Sequence, residues 1–216
     1  MLTRARGGND ELAERLRASG LDAVDCPLIR IHALAGPPVS AAGYDWLVLT
    51  SRVAAELVFS RLDGAPPPVA VLGPGTAEAV REYGVEPALV ARRSTQEGLL
   101  EELPRPAGRV LFAGAEDARP LLATELDADV LPLYRTVPED VPEFPDGDLV
   151  VLASASAATA LAALGVPTPC VSIGPVTSAQ ARDCGLDVVE EAETHDLDGL
   201  TTAVKLAGSR IVSSRS

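Results

Sequence analysis

The chain has 216 residues, of which 47% are hydrophobic, 23% charged and 3% aromatic. Eighteen basic against 31 acidic side chains give a formal net charge of −13 at pH 7, which repels polyphosphates and excludes nucleic acid as a partner. The three cysteines form no CxxC pair, so the sequence favours free thiols over a disulfide framework or a zinc site.

Predicted strands and helices alternate along the whole chain. Short apolar runs rich in β-branched residues are typical of buried parallel strands, and such runs are WLVLT, VAVLG, RVLFAG, LVVLA and CVSIG. Helical periodicity predicts helices over residues 10–19, 51–62, 74–83, 96–103, 117–126, 154–164, 175–184 and 196–206. This alternation predicts an α/β fold with parallel sheets covered by helices on both faces.

The stretch from residue 149 to residue 181 contains no charged side chain, which in isolation suggests a membrane span. Polar residues, prolines and glycines interrupt it, among them Ser154, Pro167 and Gly174, so we predict a buried strand, helix and strand instead. The N-terminus MLTRARGGND lacks the apolar segment of a secretory signal. We therefore expect a cytoplasmic protein that contacts no membrane.

An internal repeat relates the two halves of the sequence. The segment DWLVLTSRVAAELV at 45–58 resembles DLVVLASASAATAL at 148–161, and CPLIRI at 26–31 resembles LPLYRTV at 131–137. Residues 69–85 and 170–186 are related by an offset of 101 positions, which pairs Gly73, Thr76 and Gly84 with Gly174, Thr177 and Gly185. The same offset continues to Gly98 and Gly199.

The order of these segments predicts two lobes, one of them discontinuous. PLIRI and PLYRTV each open with proline and precede a proline-rich loop, so we expect hinge strands at about 27–33 and 132–137. The middle of the chain, residues 33–132, forms a continuous α/β lobe. Residues 1–30 and 137–216 together form the discontinuous one.

Two GPxT turns are candidate anion sites. Gly73 and Gly174 each stand where a strand feeds a helix, followed by proline and, two residues later, by Thr76 or Thr177. Proline suits the first helical turn, and the free N–H groups of that turn attract anions at the carboxyl edge of a parallel sheet. A helix start without any ligand is the alternative interpretation, which recurrence in both halves makes less favourable.

Small hydroxyl side chains occupy the preceding strand-to-helix turns: Thr50, Ser51, Ser154 and Ser156. They are candidate contacts or simple N-caps. No GxSxG elbow is present, and His32 and His195 lie in no nucleophile–base motif, so we interpret both as ordinary surface or hinge residues. No metal or nucleotide motif is recognisable.

Tyr134 distinguishes the two halves, because its partner in the repeat is Ile29. A phenol at a junction between lobes can donate a proton or a hydrogen bond, or it can simply pack there. Arg135 beside it, like its partner Arg30, is either a carboxylate contact or a solvated charge.

Taken in order, the segments resemble the uroporphyrinogen-III synthase family of tetrapyrrole biosynthesis. The resemblance covers almost the whole chain and rests on LTR, PLIRI, DWLVLTS, VLGPGTAEAVREYGV, TQEGLL, PLYRTV, SIGPVTSAQARDCGL and AETHDLDGL. It implies two flavodoxin-like or Rossmann-like lobes with parallel sheets, joined by a two-stranded hinge.

The resemblance also implies an activity in haem biosynthesis: cyclisation of hydroxymethylbilane to uroporphyrinogen III, with loss of water and inversion of ring D. The family uses no cofactor, passes through an azafulvene and a spiro intermediate, and acts largely by orienting a substrate that carries eight carboxylates. By resemblance, Tyr134 is the catalytic candidate that assists departure of the hydroxyl. The substrate-binding candidates are Thr50, Ser51, Gly73, Thr76, Ser154, Ser156, Gly174 and Thr177.

Two segments depart from the family pattern. Many relatives have Arg-Gly where this chain has Ala113-Gly114, and a Phe-Thr-Ser-Pro-Ser turn has become Leu-Ala-Ser-Ala-Ser at 152–156. Arg119 is a candidate to replace the missing charge.

The expected partner is the linear tetrapyrrole, with a transient contact to the upstream bilane-forming enzyme, and we expect a monomer. The alternative function is a non-catalytic bilobal tetrapyrrole-binding or sensor domain of the same fold. Retention of LYRTV and both GPxT turns favours the enzyme. A pair of glycosyl-transferase-like lobes is disfavoured, because the chain is short and carries no sugar-nucleotide signature.

Overall fold

A computed structural model describes residues 1–214, without the side chains of residues 212 and 214. The chain divides into two compact units. We call Met1–Ile31 with Thr136–Ser216 the terminal unit, and His32–Arg135 the central unit. The chain therefore passes from one unit to the other twice.

Strands and helices alternate along most of the chain, as the sequence predicts, but strands follow one another directly in three places. In chain order the elements are α1 (Asp10–Ala18), β1 (Ile29–Ala33), β2 (Val39–Ser40), β3 (Trp46–Leu49), α2 (Arg52–Phe59), β4 (Leu62–Asp63), β5 (Val69–Val71), α3 (Pro74–Glu82), β6 (Leu89–Val90), α4 (Gln96–Glu102), β7 (Val110–Ala115), α5 (Leu121–Glu125), β8 (Asp129–Pro138), β9 (Val150–Leu152), α6 (Ala155–Leu164), β10 (Cys170–Ser172), α7 (Pro175–Asp183), β11 (Val188–Glu191) and α8 (Leu197–Ser214).

The main sheet of the central unit has the strand order β1-β8-β7-β3-β5-β6. The pairs from β8 to β6 are parallel, and β3 at their centre aligns Leu47 with both Leu111 of β7 and Val69 of β5. Leu47 and its two successors are completely buried, as a strand covered on both faces requires. Strands β2 and β4 form a separate parallel pair.

The terminal unit contains a parallel sheet in the order β11-β10-β9, which Leu2 extends through bridges to Val151 and Asp25. Its two faces carry separate hydrophobic cores. Residues of α6 and α7 pack on one face, and Leu12 of α1 and Leu200 of α8 pack on the other. The sheet is thus covered by helices on both sides.

The uncharged stretch from residue 149 to residue 181 forms β9, α6, β10 and the start of α7, which confirms the prediction of a buried strand, helix and strand. Throughout the described chain, none of the helices combines the length and the apolarity that crossing a membrane requires.

Three helices differ from their predicted bounds by more than two residues. The helix predicted to end at residue 62 ends at Phe59, because Leu62 and Asp63 form β4 and pair with β2. The helix predicted from residue 117 begins only at Leu121, because Pro120 disfavours the helical conformation in the residue before it and occupies the N-cap. The last helix continues past its predicted end at residue 206 to Ser214, since Gly208 is accommodated inside it. A single glycine weakens a helix without ending it.

Candidate functional site

The candidate residues of the central unit lie at one edge of its sheet. Thr50 and Ser51 follow β3, Gly73 follows β5, and Ser94 follows β6. Because these neighbouring strands are parallel, their carboxyl ends meet at the same edge. Tyr134 joins them from β8, where it stands opposite Ala115 at the end of β7.

Tyr134 and Ser51 form a hydrogen-bonded pair. Their hydroxyl oxygens are 2.9 Å apart, and Ser51 Oγ also accepts the N–H of Ala54 at 3.0 Å as the N-cap of α2. Tyr134 is only 8% exposed. Burial raises the pKa of its phenol above the usual value of 10.0, and the bond from Ser51 offsets part of that rise. The phenol is therefore protonated near neutral pH and is available as a proton donor.

Thr50 lies beside this pair without forming part of it. Its hydroxyl oxygen is close to Gly114, 3.8 Å from the position that a β-carbon would take there. Arg119, the candidate to replace the family's missing arginine, is already paired: its Nη2 donates to Glu97 Oε1 at 2.6 Å. This bond lowers the pKa of Glu97. The guanidinium is thus directed at α4.

The GPGT turn of the central unit is closely surrounded. A β-carbon built on Gly73 would lie 2.5 Å from Ser94 Oγ, so glycine permits this approach. Thr76, in the first turn of α3, is 7% exposed. From the start of α2, the Arg52 guanidinium donates to the Gly75 carbonyl at 3.0 Å and thereby places a cation beside the turn.

The terminal unit repeats this arrangement with different side chains. Ser154 caps α6 by accepting the N–H of Ala157 at 3.2 Å, and its hydroxyl lies 3.2 Å from that of Ser156. On the next strand, Gly174 precedes α7, and Thr177 in the first turn of that helix is 5% exposed. Strands β9 and β10 are parallel neighbours, which brings the two turns to one edge.

His195 packs directly on the GPVT turn. A β-carbon built on Gly174 would lie 2.7 Å from His195 Cδ2 and 3.1 Å from Nε2. The half-buried ring therefore covers a candidate binding turn, a contact that the interpretation of His195 as an ordinary surface or hinge residue did not include. His32, in contrast, is exposed on β1.

Within each unit, the helix starts at the carboxyl edge of the sheet fall into two classes. Ser51, Ser154, Thr95 and Asp196 each accept an N–H of the helix that follows them. The helices that begin after Gly73 and Gly174 have no side-chain cap. Their first-turn N–H groups have no acceptor inside the helix and remain available to an anion. The two GPxT turns are thus the better candidates for binding carboxylates.

Arg52 and His195 are polar residues at the GPxT turns that were not candidate site residues from the sequence. Arg52 reads as the first residue of a helix, and its contact with Gly75 spans 23 positions. Residues 94 and 195 are related by the same 101-position offset that pairs the GPxT turns. That offset predicts only that the two residues occupy equivalent positions; their contact with the glycines is a structural observation.

No group of three or more potential metal-ligating side chains occurs within the part of the chain that the structure describes. The three cysteines are free thiols, two of them buried.

Comparison with known proteins identifies the family of this chain. The model described as HEM4, uroporphyrinogen-III synthase HemD, matches residues 10–202. The chain belongs to the uroporphyrinogen-III synthase family. A uroporphyrinogen-III synthase from Synechococcus elongatus is 28% identical over 254 residues, covering 95% of this chain and 93% of that protein. The resemblance inferred from the sequence is confirmed.

Solved structures of the family share the fold. A mutant uroporphyrinogen III synthase from the extremely thermophilic bacterium Thermus thermophilus superposes with a TM-score of 0.63 at 20% identity, covering 97% of this chain and 98% of that one. The uroporphyrinogen-III synthetase from Helicobacter pylori 26695 gives 0.63 at 18% identity, over 85% and 91% of the two chains. These matches support a mixed α/β fold with a mainly parallel sheet.

Proposed function

We propose that this chain catalyses the uroporphyrinogen-III synthase reaction, cyclising hydroxymethylbilane with loss of water and inversion of ring D. Family membership over residues 10–202 is the observation that carries this proposal. The hydroxyl pair of Ser51 and Tyr134 and the two uncapped turns supply groups that suit the chemistry.

The Tyr134 phenol is the group that assists departure of the substrate hydroxyl. Its burial and raised pKa keep it neutral at physiological pH, so it can donate a proton to the leaving oxygen. Ser51 holds the phenol oxygen at 2.9 Å and is itself fixed as the cap of α2. The pair is thus pre-oriented, with Ser51 as a positioning residue.

The substrate carboxylates bind at local donors, because the net charge of −13 repels a polyanion at long range. The turns at Gly73 and Gly174 offer first-turn N–H groups, with Thr76 and Thr177 beside them. Thr50 and Ser156 provide further hydroxyl contacts, and Ser154 is first of all a helix cap. Binding by several weak contacts suits an enzyme that acts by orienting its substrate.

The two units correspond to two flavodoxin-like lobes of one cytoplasmic monomer. Strands β1 and β8, which contain the chain crossings, act as a two-stranded hinge over about 27–33 and 132–137. The terminal lobe comprises 1–30 with 137–216, and the central lobe comprises 33–132. The proposed substrate is the linear tetrapyrrole, with candidate contacts in each lobe, and the upstream bilane-forming enzyme is a transient partner.

The test is a coupled assay in which hydroxymethylbilane is generated in situ, the products are oxidised, and isomers I and III are separated by chromatography. We expect isomer III to dominate. Isomer I alone, formed at the uncatalysed rate, would overturn the proposal. In that case, tetrapyrrole binding without turnover would support the sensor function instead.

A further inference from the structure

The two GPxT turns have the same backbone but different polar neighbours. In the central unit, Arg52 follows the capping Ser51 and donates to the Gly75 carbonyl at 3.0 Å. In the terminal unit, the residue that follows the capping Ser154 is Ala155, which carries no charge. The terminal turn therefore lacks the counterpart of Arg52 at the equivalent position.

The residue that packs on the glycine also differs between the two turns, and here the terminal unit carries the nitrogen donor. Ser94 packs on Gly73 in the central unit, and His195 packs on Gly174 in the terminal unit. Each unit thus places one nitrogen-donor side chain at its GPxT turn, from a different place in the sequence. An imidazole, like a guanidinium, donates N–H bonds to a carboxylate and carries a positive charge when protonated.

His195 is not used elsewhere. Its imidazole has no hydrogen-bond or ion-pair partner among residues 1–214. The adjacent Asp196 is already occupied, since its Oδ1 accepts the N–H of Gly199 at 2.8 Å and the hydroxyl of Thr194 at 3.0 Å. The nearest sequence neighbour with a negative charge is thus committed to capping α8.

A second polar side chain at the same turn is also without a partner. Thr177 is 5% exposed, yet its hydroxyl makes no hydrogen bond within the described chain. A hydroxyl held in a buried residue at an uncapped helix start, without an internal acceptor or donor, is expected to be satisfied from outside. Together with the free first-turn N–H groups, it forms a set of donors that matches one carboxylate.

We propose that His195 binds a substrate carboxylate at the GPVT turn, together with Thr177 and the backbone N–H groups that follow Gly174. This inference rests on the proposed function. His195 is a substrate-binding residue in the terminal unit, at a turn that has no counterpart of Arg52. Its role lies in holding the substrate, because the proton-donating phenol belongs to the other unit.

The experiment compares KM and kcat for isomer III formation in His195→Ser and His195→Arg. Serine is the residue that the equivalent turn already accommodates at position 94, so this variant is expected to fold, and the thermal midpoint checks that it does. We expect His195→Ser to raise KM about tenfold, the effect of losing one charge-assisted bond, with kcat within about twofold. His195→Arg restores KM to within about threefold, because it again supplies N–H donors.

The matched control is His32→Ser, which removes the other imidazole from an exposed position. It is expected to leave both constants unchanged. An unchanged KM in His195→Ser, or an equal rise in the serine and arginine variants, would overturn the inference by showing that the ring only fills space. Absence of isomer III from the unaltered protein would instead overturn the proposed function.

Discussion

Replacing Tyr134 by phenylalanine separates the chemical role of the phenol from its structural role. The change removes one oxygen from a residue that is 8% exposed and keeps the ring in place. The hydrogen bond with Ser51 at 2.9 Å is lost, but Ser51 still accepts the N–H of Ala54 and remains the cap of α2. The structural loss is therefore one neutral hydrogen bond.

The two roles predict effects of different size. One neutral hydrogen bond contributes about 1 kcal/mol to folding, so the thermal midpoint should fall by a few degrees. A positioned general acid contributes at least about a hundredfold to rate, which corresponds to about 2.7 kcal/mol of activation free energy. We therefore expect kcat for isomer III to fall about a hundredfold, well beyond what the structural loss explains.

The assay is single-variant kinetics with isomer separation, alongside thermal unfolding. Tyr83→Phe is the control, because its ring is 43% exposed and stacks on Phe59 in the same unit. In the unaltered protein the pKa of Tyr134 is raised above its usual value of 10.0, so kcat should not decline between about pH 7 and 9 through loss of this proton. A kcat of Tyr134→Phe within about threefold of the unaltered protein would show that the phenol only packs.

Two further predictions concern stability and thiol reactivity. Gly199→Ala drives a β-carbon into the Thr194 carbonyl and should destabilise the chain by about 1–3 kcal/mol. In the same helix, a β-carbon on Gly208 would lie 3.8 Å from its nearest neighbour, so Gly208→Ala should stabilise the chain by about 0.5–1 kcal/mol. Chemical denaturation measures both free energies of unfolding, and changes of the same sign would contradict the prediction. Burial raises the pKa of Cys170 to about 11 and leaves its side chain inaccessible, so near pH 8 iodoacetamide should modify the half-buried Cys184 first, as peptide mapping would reveal. Rapid labelling of Cys170 in the folded protein at about pH 8 would refute this.

Much of the fold was predictable because its signals are local or repeated. The segment DWLVLTS predicts both the buried β3 and the cap at Ser51, because the apolar run and the capping hydroxyl lie within a few residues of each other. The 101-position offset identified both GPxT turns, and the structure gives each of them an uncapped helix start after an extended glycine. A feature that recurs in two halves is less easily produced by chance than either occurrence alone.

The contacts that the sequence left unpredicted depend on strand order. Tyr134 meets Ser51 only because β8 and β7 are neighbours and β7 is in turn the neighbour of β3, and the two residues are 83 positions apart. His195 reaches Gly174 because the chain returns past the parallel pair of β10 and β11. Neither hydropathy nor spacing encodes which strands are adjacent.

The differences between the two units bear on how a repeated scaffold handles its substrate. A linear bilane has one end that loses its hydroxyl and one that attacks, so two identical binding units could hold it equally well in either direction. The repeat keeps the turns alike but differs at several places, among them Tyr134 against Ile29, Arg52 against Ala155, and Ser94 against His195. A preference for one direction must come from such unequal positions, because equal contacts contribute equally to both orientations. On this reasoning, exchanging Ser94 and His195 should weaken the orienting preference more than either single change, and the isomer I fraction of the product would report that loss.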